Sequence, residues 1–116
     1  MASEARISGG CIRYIAPELI EDNDASATEC SDTYSFAMLI LECITEGAPF
    51  SNLASDVKVL YAKTLKGQCP SRPDGQDGKN YIPDDLWVFM MRCWAVEPGQ
   101  RPTMEQVHSF FLHCQA

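Results

Sequence analysis

The segment from Tyr34 to Ile44 is apolar on almost every side when it is wound as a helix. Ser31 is a good N-cap with Asp32 in the first turn, and Gly47 is a typical residue after a helix end. A helix that is hydrophobic all round must be buried all round. The sequence therefore predicts a central helix, from Ser31 to Glu46, that the rest of the chain covers.

Four shorter helices are predicted around the central one. The first runs from Pro17 to about Glu21, with proline in the first turn, where a missing N–H is harmless. The second covers Ser55 to Leu65 and ends at Gly67, and the third begins at Pro83. The fourth opens with a capping box, Thr103 to Gln106. Because no segment alternates with a period of two, an all-α fold is predicted.

The last three of these helices carry apolar residues at helical spacing. These residues are Val57, Leu60, Tyr61 and Leu65 in the second helix, Leu86, Phe89, Met90, Cys93 and Trp94 in the third, and Val107, Phe110 and Phe111 in the fourth. We interpret Trp87, Trp94, Phe110 and Phe111 as core or groove residues, and an aromatic ligand cage is the alternative.

Composition and charge disfavour several classes of partner. The chain of 116 residues has 16 acidic and 9 basic residues, for a net charge of −7, and 46% of its residues are hydrophobic. This length and apolar content fit one small domain with a core. Nucleic acids and anionic membranes attract basic faces, so neither is expected as a partner. The longest apolar run, Phe36 to Leu41, is far shorter than the ~18 residues of a membrane helix. Without a hydrophobic leader, a cytoplasmic location is expected.

The cysteines and histidines do not have the spacing of a metal site. No Cys-x-x-Cys occurs, and His108 and His113 are five residues apart, on different faces of a helix. The cysteines are widely scattered, and we interpret them as reduced thiols. They are Cys11, Cys30, Cys43, Cys69, Cys93 and Cys114.

Three blocks of sequence follow the order and separations of a protein kinase domain. Residues 11–18 read Cys-Ile-Arg-Tyr-Ile-Ala-Pro-Glu, residues 30–36 read Cys-Ser-Asp-Thr-Tyr-Ser-Phe, and an Arg-Cys-Trp is followed by Pro98 and by Arg-Pro-Thr at 101–103. Together they resemble the C-terminal, helical lobe of the kinase catalytic domain, in the tyrosine-kinase-like serine/threonine group. The resemblance implies a partial kinase domain over residues 10–113, after a tail of residues 1–9, built from the lower helices of the lobe around one buried central helix.

The motifs by which kinases bind nucleotide and transfer phosphate are missing from this sequence. A kinase needs a glycine-rich loop, a lysine on its third strand, a His-Arg-Asp catalytic loop and an Asp-Phe-Gly. The pair Gly9-Gly10 lacks the Gly-x-Gly-x-x-Gly spacing. The intact family uses ATP and Mg²⁺, but for this chain we predict no cofactor, no catalytic residue, no ATP-binding residue and no metal ligand. The chain is predicted to be inactive alone.

Glu18 and Arg101 are the residues that the resemblance assigns most clearly. In the family, the glutamate of Ala-Pro-Glu forms a buried ion pair with the arginine of the later Arg-Pro motif. An arginine can grip a carboxylate with two parallel hydrogen bonds, which a lysine cannot do as well. The resemblance therefore implies a structural ion pair between them. The alternative is that both are unrelated surface charges.

Four other residues receive assignments from the resemblance. Asp32 matches an aspartate that binds the catalytic loop, and because that loop is missing here, capping of its own helix is the favoured role. Cys11 stands where a threonine usually contacts catalytic residues, and a thiol is a poor substitute. Cys11, Tyr14 and Glu42 are weak candidates for substrate binding. Of these, Glu42 matches a position that recognises basic residues in peptide substrates. A solvated charge is the alternative for Glu42.

Three interpretations of the function remain open. The chain is a truncated serine/threonine kinase-like protein, a stand-alone interaction module or pseudokinase-like regulator, or a fragment of a true kinase. Its partner is then a protein or the missing N-terminal portion of a kinase. Because the family covers the central helix with elements that are missing here, we expect some of Tyr34, Met38, Leu41 and Ile44 to be exposed. Through that face the chain is expected to self-associate or to bind a hydrophobic partner.

Overall fold

The computed structural model describes residues 12–22, 24–75 and 80–114, with the side chains up to residue 113. Within these residues the chain forms five α-helices and a short 3-10 helix, and it forms no strand. The all-α prediction is confirmed. The elements are α1 (Pro17–Glu21), α2 (Glu29–Thr45), α3 (Asp56–Thr64), α4 (Asp84–Cys93), the 3-10 helix (Pro98–Gln100) and α5 (Met104–Cys114).

The central helix, α2, begins two residues earlier than predicted. Thr28 is the N-cap, and its Oγ1 accepts a hydrogen bond from the backbone N–H of Ser31 at 3.1 Å. In return, the Oγ of Ser31 accepts from the backbone N–H of Thr28 at 2.8 Å. Ser31 therefore closes a capping box from the third helical position, and its assignment as the N-cap was wrong. A serine is chemically suited to both ends of such a box.

The C-terminal end of α2 also differs from the prediction. The last helical residue is Thr45, whose hydroxyl donates to the carbonyl of Leu41 at 2.9 Å. Glu46, and not the following glycine, takes the left-handed conformation, with φ of 56°. Its N–H donates to the carbonyl of Glu42 at 2.7 Å. The hydrogen bond from this N–H satisfies one of the free carbonyls of the last turn.

One side of α2 faces the core and the other faces solvent. Leu39 is 50% exposed and Cys43 is also exposed, so the prediction of burial all round was wrong. Three of the four residues that were expected to lose their cover are instead buried. Tyr34, Met38 and Leu41 are only 2%, 0% and 4% exposed, and Ile44 is half-buried. The physical reason is that α4, the 3-10 helix and α5 all pack against α2.

Helix α3 packs against α1 with an unexpected face. Its N-cap is Ser55, and its buried residues are Val59, Ala62 and Lys63. Three residues of the predicted apolar stripe, Val57, Tyr61 and Leu65, are exposed, and the fourth, Leu60, is partly buried. Beyond the helix end, Gly67 has a left-handed φ of 59°, which agrees with its predicted role as a terminator.

Helices α4 and α5 close the core with aromatic side chains. The rings of Phe89 and Phe110 are stacked with centroids 4.2 Å apart, and Trp87 meets Trp94 edge-on at 5.5 Å. The predicted capping box of α5 is confirmed by two hydrogen bonds. The N–H of Thr103 donates to Gln106 Oε1 at 2.9 Å, and the N–H of Gln106 donates to Thr103 Oγ1 at 3.1 Å.

Candidate functional site

Residues 12–18, named here the anchored segment, are the described part of the first sequence block. Ile12 and Ala16 are completely buried, so the backbone of this segment lies directly against the helices. The polar groups between them are bonded to α2, to α3 and to the loop that joins these helices. Between its first residues and the start of α1, the anchored segment is therefore held by side-chain hydrogen bonds to these elements.

Arg13 ties the anchored segment to the loop between α2 and α3. Its Nη1 donates to the carbonyls of Pro49 and Phe50 at 3.0 and 2.9 Å, and its Nη2 donates to the carbonyl of Leu53 at 3.2 Å. Its Nε donates to Asp56 Oδ1, at the start of α3, at 3.2 Å. One guanidinium thus satisfies three loop carbonyls and one carboxylate.

Lys63 ties the same segment to α3 from the inside. Its side chain is almost fully buried, and its Nζ donates to the carbonyl of Ile15 at 2.8 Å. The Nζ also lies 5.0 Å from the ring centroid of Tyr34 and 5.5 Å from that of Phe50. Burial, and then the charge of Arg13, lower the pKa of Lys63 from 10.5 to about 7. The Lys63 amino group is held here by one carbonyl and, in its protonated form, by two aromatic faces.

Tyr14 and Glu42, two of the substrate-binding candidates, bond to each other. The Tyr14 hydroxyl donates to Glu42 Oε2 at 2.9 Å, and Ser35 Oγ donates to the carbonyl of Tyr14 at 2.9 Å. Burial, followed by the hydrogen bond to Glu42, raises the pKa of Tyr14. The Glu42 carboxylate is therefore partly engaged within the chain. Cys11, the third candidate, lies outside the described residues.

Glu18 and Arg101 form a two-pronged ion pair. Arg101 Nη1 lies 2.7 Å from Glu18 Oε2, and Nη2 lies 2.8 Å from Oε1. Arg101 also donates from Nε to the carbonyl of Ala95 at 2.9 Å and from Nη1 to the carbonyl of Cys30 at 3.0 Å. Its side chain has no exposed surface, whereas that of Glu18 is 28% exposed. The structure thus brings the two residues together at the edge of the core.

The ring of Tyr34 is shared by Lys63 and Arg101, two basic residues that hold the anchored segment. Lys63 Nζ and Arg101 Cζ each lie 5.0 Å from its centroid. Burial raises the pKa of Tyr34, so the ring stays neutral at physiological pH. The negative face of an aromatic ring attracts cations. Tyr34 therefore links Lys63 of α3 to the ion pair that Arg101 forms with Glu18 of α1.

Asp32 lies in the first turn of α2 and is exposed. The capping role that the sequence suggested for it is taken by Thr28. Its carboxylate still adds negative charge near the N-terminus of the helix, where such charge is favourable. Sequence reasoning missed Arg13, Lys63 and Ser35. The only sequence signal for Lys63 was its position opposite the apolar stripe of α3.

The described residues contain neither a metal cluster nor a membrane-spanning helix. No three histidines, cysteines or acidic residues come together there in a way that could hold a metal ion. None of the described helices has the length and apolar content needed to cross a bilayer. The four cysteines whose side chains the structure describes, Cys30, Cys43, Cys69 and Cys93, are free thiols. Burial raises the pKa of Cys93 to about 11.

The helical scaffold and the anchored segment together define the family of the chain. A family model described as "Protein tyrosine and serine/threonine kinase" matches residues 2–111. The chain belongs to this protein kinase family. The glutamate of its Ala-Pro-Glu and the arginine of its Arg-Pro are the residues that the ion pair joins.

Several curated kinases are similar to the chain over most of its length. It is 32% identical over 107 residues to receptor-interacting serine/threonine-protein kinase 1 of Homo sapiens. This match covers 92% of this chain and 15% of that protein. It is 38% identical over 110 residues to the human proto-oncogene tyrosine-protein kinase ROS. This second match covers 88% of this chain and 4% of the relative. A probable serine/threonine-protein kinase, roco7 of Dictyostelium discoideum, is 31% identical over 98 residues, covering 82% of this chain and 3% of the relative.

Proposed function

We propose that this chain is the substrate-side portion of a serine/threonine protein kinase domain and that it does not transfer phosphate alone. The observation that carries the proposal is the fixing of the anchored segment by Arg13, Lys63, Ser35 and Arg101. This segment leads into the Ala-Pro-Glu motif, which closes the activation segment in the family that the sequence resembles. A surface that is ordered before a peptide arrives loses less entropy on binding it.

The described residues can position a peptide substrate, but the groups that transfer phosphate have to come from another part of a kinase. Phosphoryl transfer requires a cradle for the phosphates, Mg²⁺ ligands and a residue that orients the attacking hydroxyl. The sequence contains none of the motifs that provide these groups. ATP and Mg²⁺ therefore belong, in this proposal, to the intact kinase and not to this chain.

The finer assignments rest on the resemblance and on similar proteins. The serine/threonine specificity rests on the resemblance of the motifs, since the similar proteins include both a serine/threonine kinase and a tyrosine kinase. The proposed domain covers residues 10–113 after a tail of residues 1–9. We place it in the cytoplasm, with a protein as its partner. That partner is the nucleotide-binding portion of a kinase.

Calorimetric titration with Mg²⁺-ATP tests the proposal directly. We expect no saturable heat and no transfer of labelled phosphate to a mixed protein substrate, because the phosphate cradle is missing. Circular dichroism on the same sample checks that the helices are formed. Titration with ATP in the presence of EDTA is the matched control. Saturable binding that requires Mg²⁺ would overturn the proposal.

The second candidate function, a stand-alone interaction module or pseudokinase-like regulator, is favoured by a separate observation. Helix α3 presents large apolar side chains to solvent, with Val57, Tyr61 and Leu65 all more than half exposed. Contiguous apolar surface on a small domain usually marks a contact site. The two candidates are compatible, since a contact surface on α3 would operate with or without nucleotide.

A further inference from the structure

Helix α3 carries apolar side chains on its solvent face as well as on its buried face. Val57, Tyr61 and Leu65 are 71%, 58% and 66% exposed, and we name these three residues the α3 row. Residues four apart in a helix lie above one another on the same face. The opposite face, which packs on the protein, buries Val59, Ala62 and Lys63. The solvent face of an amphipathic helix is normally polar, so three large apolar residues on that face require an explanation.

A groove runs beside the α3 row. It has a volume of about 240 Å³ and is open to solvent on one side. Tyr61 belongs both to the row and to the groove, which makes the two one continuous surface. The groove is lined by Leu53, Lys58, Tyr61, Ala62, Lys66 and Gln68.

The charge of this surface is opposite to that of the whole chain. The net charge of the chain is −7, but both charged residues that line the groove are lysines, Lys58 and Lys66. Among the described residues neither lysine takes part in an ion pair. The acidic residue at the start of the helix, Asp56, is already bonded to Arg13. The surface therefore combines apolar contact area with unmatched positive charge.

We propose that the α3 row and its groove bind an acidic amphipathic segment of a partner protein. Apolar side chains of the segment cover Val57, Tyr61 and Leu65, while its carboxylates pair with Lys58 and Lys66. Apolar anchors beside complementary charges give affinity and orientation together. This surface lies on α3 and does not depend on whether the chain takes part in phosphate transfer.

Other occupants fit this surface less well. In a symmetric dimer through the α3 row, each lysine of one copy would face the same positive surface of the other, and both copies would carry the full negative charge. An anionic membrane would attract the two lysines and repel the rest of the chain. An acidic protein segment satisfies the local charge without these conflicts.

Fluorescence anisotropy tests the proposal with a labelled 18-residue helical peptide. The peptide carries leucines at i, i+4 and i+7 with glutamates beside them, and a scrambled peptide of the same composition is its control. We expect saturable binding of the patterned peptide only. The paired change Tyr61→Ala with Leu65→Ser should weaken binding at least about tenfold. The paired charge reversal Lys58→Glu with Lys66→Glu should weaken it similarly, and most strongly at low salt.

A control variant shows whether the loss of binding is specific to the α3 row. Val88→Ser removes a similarly exposed apolar side chain from α4 and should leave binding unchanged. All the altered residues are exposed, so circular dichroism should show unchanged helicity. Equal binding of the scrambled peptide, or no effect of the charge reversal, overturns the proposal. So does sedimentation showing that the wild-type chain dimerises through the row, or binding to phosphatidylserine vesicles with no binding to the peptide.

Discussion

Arg101 is the residue on which the candidate site depends most. It has no exposed side-chain surface, and it donates to both oxygens of Glu18 and to the carbonyls of Ala95 and Cys30. These acceptors belong to three separate parts of the chain. A planar guanidinium can serve all of them at once because its donors point in fixed, diverging directions.

Substitution of Arg101 by lysine should destabilise the protein. Arg101→Lys keeps the charge but leaves at least one of these four acceptors without a donor, so the free energy of unfolding should fall by about 1–3 kcal/mol. Urea denaturation followed by circular dichroism measures the change. Arg92→Lys, at an exposed position on α4, is the control and should stay within about 0.5 kcal/mol of wild type. A wild-type stability for Arg101→Lys would refute the structural role of the ion pair.

Lys63 makes the free energy of unfolding depend on pH. Its pKa is 10.5 when unfolded and about 7 in the folded protein, so between these values the unfolded chain holds a proton that the native one has released. The free energy of unfolding then rises with pH, from about 7 to about 10.5, through this residue. Below pH 7 its contribution is constant, because both states are protonated.

Comparison of wild type with Lys63→Met isolates this effect. The difference in the free energy of unfolding, wild type minus variant, should increase steadily in urea titrations at pH 6.5, 8 and 9.5, as the linkage relation requires. Groups with raised pKa values, such as Tyr14 and Cys93, are present in both proteins and cancel in the difference. Lys58→Met, at an exposed lysine, should give a flat difference. A flat difference for Lys63→Met as well would mean that the ammonium is not desolvated.

At the level of single elements, α2 depends on its capping box. Thr28→Ala removes the acceptor for the N–H of Ser31 and should lower the free energy of unfolding by about 1 kcal/mol. Chemical denaturation provides the measurement. Ser26→Ala, two residues earlier and exposed in the preceding loop, is the matched control and should change little. Equal effects of the two substitutions would argue against the cap.

Elements with strong local signals were predicted well from the sequence. α1 begins at a proline, and α5 begins at a Thr-x-x-Gln capping box, and both appear in the structure as predicted. The start of α2 was misplaced because Thr28 and Ser31 can each act as a cap. The orientation of α3 was not predictable, because the buried face is chosen by α1 and the anchored segment and not by the periodicity of α3 itself.

At the scale of the whole molecule, the site residues are joined by long-range contacts, and the sequence alone predicted only some of these contacts. The pair Glu18–Arg101 was reached only because both residues lie in motifs that resemble those of kinases. Arg13 and Lys63 were missed because they bind backbone carbonyls, which every residue has and no sequence pattern distinguishes. The exposure of Leu39 and Cys43 was missed for a related reason, since periodicity shows that a helix is apolar but not which side its neighbours cover.

The long separation between Glu18 and Arg101 has a consequence for biosynthesis. The two residues are 83 positions apart, and the acidic one is made first. At a synthesis rate of roughly 5–20 residues per second, the ribosome adds its arginine partner roughly 4–17 s later. During that interval the Glu18 carboxylate lacks its guanidinium partner, so the nascent chain can complete this end of the fold only after Arg101 has been synthesised.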